Sequence, residues 1–183
     1  MTALTLQAIA ASSDEELFAL LGQELGRRIA NQRGTPAFLA EIQGLPVGLR
    51  AMAATYELDV SLALDDLGWH FGNWLSQPLT EETARGLDEL EATELAEIFR
   101  AAWRIAETYW SRLATDDWGD WYPDSPFEQA MEPLNQRAWS ILEAHENGIF
   151  HYWVTYARKH PDRLGVTAAD GHGNTGRVSG FGR

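Results

Sequence analysis

Residues 93–113 read TELAEIFRAAWRIAETYWSRL, and this stretch decides the fold class. Leu95, Ile98, Phe99, Ala102, Ala106, Tyr109 and Leu113 recur at spacings of three and four, which places them on one face of an α-helix. Thr93 before Glu94 reads as the start of that helix, with a capping hydroxyl and an acid at the positive end of the dipole. Upstream, Thr80 before Glu81 and Glu82 reads as the cap of a shorter helix. Before that, Pro46 suits a first helical position, and Leu49, Ala53, Tyr56, Val60, Leu64 and Leu67 form an apolar stripe that ends near Gly68. Near the N-terminus, Ser12 or Ser13 followed by Asp14, Glu15 and Glu16 opens a helix carrying Leu17, Leu20, Leu21, Leu25 and Ile29. Gly22 and Gly26 within it read as room for close helix contact, since glycine inside a helix costs about 1 kcal/mol relative to Ala. Residues 31–35 and the surroundings of Gly44 read as loops.

Downstream, TDDWGDWYPD at 115–124 has turn formers and no regular period, so it reads as an exposed loop carrying four acids and three aromatics. Ser125, Pro126 and Glu128 form a capping box, and Pro133 predicts a kink or a restart before 134–145. Gly148 closes that helix, and a last one over 149–160 stops at Pro161. No strand-like alternation and no repeat of 20 to 50 residues appears. The sequence therefore predicts an all-α, irregular multi-helix bundle: one domain over 1–160, with 1–12 loose, and a flexible Gly-rich tail over 161–183.

Length and composition fit this reading. A chain of 183 residues favours one hydrophobic core, and 45% apolar residues with 8 Trp, 7 Phe and 5 Tyr argue against disorder. No run approaches the roughly 20 apolar residues a bilayer requires, and MTALTLQAIAASSDEE lacks the basic region of a secretory signal. A cytoplasmic protein without membrane contact is expected. With no Cys, disulfides and thiolate chemistry are excluded.

Charge is the most informative number. The net charge is −13, and residues 57–146 hold 20 acids against five bases, a net −15. Direct nucleic-acid binding is disfavoured because phosphates need the opposite sign, and basic partners are favoured. Glu81, Glu82, Asp88, Glu89, Glu91, Glu94 and Glu97, joined by Asp116, Asp117, Asp120 and Asp124, are the candidate partner-binding acids. Acids one helical turn apart stand about 5 Å apart along the axis, against about 3.4 Å per charge on a DNA strand. One helix cannot copy a duplex, but two adjacent acidic elements could approximate its phosphate rows. Ordinary solubility is the plainer reading of the same acids.

Signs of catalysis or metal binding are weak. GxGxxG, Walker, GxSxG and HExxH patterns are absent, and the loop acids lack the register of an EF-hand, so no catalytic residue, cofactor or metal is assigned. Asp66 and His70 have metal-ligand spacing, but a helix end near Gly68 separates them. His145 and His151 straddle a helix break and read as helix-terminus histidines. Trp69, His70, Phe71, Asn73 and Trp74 mix rings with glycines and read either as a tightly packed junction or as a ligand pocket. Asp65 and Asp66 beside them would oppose the dipole of a helix C-terminus.

The order LDDLGWHFGNW at 64–74, then LTEETARGLDELEATELAEIFRAAW at 79–103, resembles a family of small acidic all-helical bacterial proteins that includes a DNA mimic. The resemblance covers about 45–160, with Gly68 and Trp69 at the family's helix junction. Leu67 stands where a glycine is typical and Phe71 where a glutamine is. The resemblance implies an all-α fold, a homodimer and, for at least one member, a negative surface that occupies the DNA-binding face of a transcription factor. The leading expectation is a non-enzymatic acidic interaction protein whose partner is a basic protein such as a DNA-binding protein. An immunity or antitoxin-type binder, and a ligand-binding or enzymatic protein with a pocket near Trp69, His70 and Trp74, stand as alternatives.

Overall fold

The computed structural model describes residues 3–145 and 148–166. They form α1 (Leu6–Ala11), α2 (Asp14–Arg28), α3 (Pro36–Gln43), α4 (Val47–Leu64), α5 (Leu67–Asn73), α6 (Gln77–Glu89), α7 (Thr93–Leu113), α8 (Trp118–Trp121), α9 (Pro126–Glu143) and α10 (Phe150–Lys159). A 3-10 turn follows at Pro161–Leu164, and no strand occurs among the described residues. The predicted all-α bundle is the observed one.

Helix α4 is the axis of the bundle. It is buried on most of its circumference, which an amphipathic surface helix would not be, and Ala51, Ala53 and Ala54 keep it thin enough for neighbours to close on it. Helix α6 lies closest: a Cβ on Gly86 would sit 2.9 Å from the Ala51 carbonyl oxygen. Thr83 Oγ1 donates to the Ala54 carbonyl at 2.9 Å across the same seam. At its edge Glu82, only 2% exposed, accepts from Arg50 Nε at 2.8 Å and Nη2 at 2.6 Å, from Arg85 at 2.9 Å and from Gln43 at 3.2 Å. Helix α10 packs beside this seam, where Trp153 Nε1 donates to Thr55 Oγ1 at 3.0 Å. Helix α7 buries the predicted stripe against α6, α5 and α9.

Several boundaries differ from the sequence reading, each for a local reason. Helix α4 stops at Leu64, and Asp66 starts a new helix by accepting the Trp69 N–H at 2.8 Å. The predicted dipole conflict is therefore reversed for Asp66, which sits at the favourable end of α5. Ser76, not Thr80, caps α6; Thr80 lies inside the helix and donates to the Ser76 carbonyl. Ala92 precedes α7, and Thr93 is its first residue without a capping bond. Pro133 stands on the exposed face of α9, and the helix runs through it without a restart. Within the predicted loop, 118–121 forms one helical turn whose tryptophans pack inward.

The chain ends are more engaged than predicted. Ile9 of α1 is buried, and Arg158 of α10 donates to the Ile9 and Ser12 carbonyls at 2.8 and 2.9 Å. Residues 161–166, predicted as the start of the tail, include the fully buried Leu164 and Gly165, whose φ of +66° turns the chain against Pro46. The remainder of the predicted tail, 167–183, lies outside the described residues.

Two predictions follow from this core. Removing Glu82 leaves Arg50 without its partner at a largely buried seam, so Glu82→Ala should cost about 2 kcal/mol in urea unfolding, whereas the exposed Glu94→Ala should stay within about 0.5 kcal/mol; equal effects would refute the assignment. His70 is buried, and burial lowers its pKa from the ordinary 6.5 to about 4. As pH falls from 7 to 5 the unfolded chain takes up a proton that the folded chain refuses, which should remove about 2 kcal/mol of stability. His70→Gln should flatten the unfolding profile by that amount between pH 7 and 5, and a variant profile parallel to that of the parent would contradict it.

Candidate acidic interaction surface

The aromatic junction is filled. His70 and Phe71 are buried, their rings meeting each other at 5.4 Å and Phe99 at 5.7 and 5.3 Å between centroids. A Cβ on Gly68 would lie 2.1 Å from the Tyr122 hydroxyl, and one on Gly72 would lie 2.3 Å from the Trp118 ring, so both glycines are demanded by rings that occupy their place. Trp69 packs edge-on to Trp118 and Tyr122, Trp74 lies against Gly34, and Asn73 is exposed. Ser61 gives its hydroxyl proton to the Glu57 carbonyl, which leaves His70 Nδ1–H as donor to Ser61 Oγ at 3.1 Å. Asp66 and His70 are thus committed to different partners rather than to one shared point.

The eleven candidate acids divide into two sets. Six are engaged by cations: Glu82 as described, Glu81 by Arg85 at 3.2 Å, Asp88 by Arg100, Glu89 by Arg163 at 2.9 Å, Glu91 by Lys159, with the His160 ring at 3.1 Å beside it, and Asp117 by Arg112. Glu89 also accepts from the Tyr156 hydroxyl. At Glu82 burial pushes the pKa up, but Arg50, Gln43 and Arg85 outweigh it and hold the carboxyl low. The Arg112 and Thr115 bonds hold Asp117 at about 2. Glu94, Glu97, Asp116, Asp120 and Asp124 are exposed and have no cationic partner among the described residues.

Two further acids join the free set. Glu128 and Glu132, one turn apart near the start of α9, lie close enough to Tyr122 to help raise its pKa, behind burial and the Asp66 carboxylate. Tyr122 donates to Asp66 at 2.8 to 2.9 Å, and the Asp124 N–H donates to Glu128 at 2.6 Å. Asp66, Asp124, Glu128 and Glu132 therefore gather around one tyrosine at the corner of α5, α8 and α9. The sequence carried a sign of this, because Asp120, Asp124, Glu128 and Glu132 recur every four residues. Asp124 takes a φ of +62°, a left-handed conformation that Asp tolerates better than most residues and that turns the chain into the Ser125 cap.

The two histidines at the α9–α10 turn stack at 4.0 Å with an interplanar angle of 5°. His151 falls in the first turn of α10, the positive end of the dipole, so it is not the stabilising C-terminal histidine of the sequence reading. Burial, then His145, lowers its pKa. Among the described residues no group of three or more His, Asp or Glu side chains is placed to hold a metal ion, and no helix is long and apolar enough to cross a membrane.

No curated protein and no solved structure matches the chain. Residues 43–160, a span that contains α4 through α10, match the family model described as DMP19-like protein, and the chain belongs to that family.

Proposed function

We propose that the chain is a non-enzymatic binding protein that offers free carboxylates to a basic partner, a DNA-binding protein, in place of phosphates. One observation carries the reading. Glu94, Glu97 and Glu107 stand free along α7, Asp116, Asp120 and Asp124 stand free after its last turn, and Glu128 and Glu132 follow on α9, whose Phe127 packs level with Tyr109 of α7. The 21 residues of α7 span about 30 Å, so free carboxylates are offered along a length close to the roughly 34 Å turn of B-DNA. The acids between α6 and the C-terminal segment are spent on internal ion pairs and are poor candidates for contact. Family membership supports the same reading, as does the net −15 of residues 57–146.

Charge reversal tests it. A variant with Glu94, Glu97, Asp116, Asp120 and Asp124 changed to Lys should keep its helical circular dichroism and lose the basic proteins that the parent retains from a bacterial lysate. Retention of the same proteins by the folded variant would refute the proposal. Reversing the paired Asp88 and Glu91 instead should lower stability and leave the retained set largely unchanged. The family likeness also implies a homodimer, so equilibrium sedimentation should give twice the 20.4 kDa chain mass; a monomer at micromolar concentration would remove that part of the reading.

A further inference from the structure

Between α2, α4 and α10 a groove of about 180 Å³ opens to solvent. Phe18, Tyr56 and Trp153 line it, with Trp153 lying 6.0 Å from Phe18 and 6.3 Å from Tyr56 between ring centroids. Its near wall is α2, where Gly22 and Gly26 stand about one turn apart. A Cβ at either would meet no atom within 4 Å, so the close helix contact predicted for this pair does not occur. The glycines inside α4, α5 and α6 differ: Gly48, Gly68, Gly72 and Gly86 would each place a Cβ 2.1 to 2.9 Å from a neighbour. Packing explains those four. It does not explain Gly22 and Gly26, each of which costs α2 about 1 kcal/mol relative to Ala.

At the mouth, Arg33 lays its guanidinium 3.8 Å over the Tyr56 ring. Its Nη1 lies 2.8 Å from Glu57 Oε1, off the line of a hydrogen bond, so charge attraction rather than a directed bond joins them. Glu57 is buried, whereas the Arg33 side chain keeps 46% of its surface exposed and lines the groove. The pair is neutral overall and gives little net attraction to an ionic ligand, while the guanidinium still offers N–H donors at the rim.

We infer that this groove binds a small, uncharged, planar aromatic molecule, its ring held by Phe18, Tyr56 and Trp153 and a carbonyl-type acceptor turned to Arg33. The volume is of the order of the ~150 Å³ apolar cavity that takes up benzene. The α2 wall and Arg33 lie outside the residues matched by the family model, so family membership does not account for the groove. The inference is independent of the acidic surface, since none of the candidate acids lines the groove.

Benzamide is a suitable probe, titrated into the full chain and followed by amide and indole proton–nitrogen chemical shifts. Saturable shifts are expected at Gly22, Gly26 and the Trp153 indole, with a dissociation constant on the order of 1 mM. Gly22→Leu and Gly26→Leu, which fill the groove from an exposed helix face, should each weaken binding at least tenfold without loss of fold. The milder Gly22→Ala/Gly26→Ala pair should raise the melting temperature and weaken binding several-fold, which separates filling from misfolding. Shifts that do not saturate, that scatter over the surface, or that persist unchanged in the folded leucine variants would overturn the inference.

Discussion

The close approach of α4 and α6 governs the rest of the molecule. It requires a residue without a side chain at Gly86, a hydroxyl at Thr83 to meet the exposed carbonyl of Ala54, and charged groups at the edge that can close the seam without leaving an orphan. Once α6 is fixed on α4, the short turn at 90–92 sets the start of α7, and α7 carries α5 and α9 on its apolar stripe. Breaking a largely buried ion pair is far costlier than losing a surface one, so Glu82 acts as part of the fold despite its charge. The same constraint consumes acids that a sequence would assign to the surface.

What remains after that consumption gives the molecule its electrostatic character. Lys159 and Arg163 bring compensating charge from the C-terminal segment to Glu91 and Glu89, so the α6–α7 corner is largely neutralised. The two ends of α7 are not. The α5–α8–α9 corner adds Asp66, Glu128 and Glu132 around Tyr122, where burial and the neighbouring carboxylates keep the phenol protonated. Free carboxylates stand at both ends of α7, and the exposed Glu107 lies between them with no cationic partner among the described residues.

Much of this was legible in the sequence, and the failures are instructive. The α7 stripe and the α10 stop at Pro161 are local patterns and appear as read, whereas the capping box read at Ser125 is half present: Ser125 caps the Glu128 N–H, but the Glu128 carboxylate takes the Asp124 N–H instead of that of Ser125. Glu82 looks like Glu81 in a sequence, yet it lies three residues after Leu79 and four before Gly86, on the buried stripe of α6, so helical phase held the answer. Its partner Arg50 is 32 positions away, and Lys159 is 68 from Glu91, separations that no i,i+4 rule can reach. The Asp66 cap was hidden because the apolar stripe of α4 runs past it to Leu67, which in fact begins α5. The Gly22–Gly26 spacing was visible, but whether a glycine makes room for a helix or for a groove depends on what faces it.

The central claim is that the free carboxylates stand in for DNA phosphates on a basic DNA-binding partner. Competition tests it most directly: duplex DNA added to the immobilised chain with its captured basic proteins, repeated between 50 and 200 mM salt. The account predicts that duplex releases the captured proteins and that capture weakens steeply as salt rises, because the same cationic face serves both ligands. Capture that duplex DNA leaves untouched, or that does not change with salt, would contradict it.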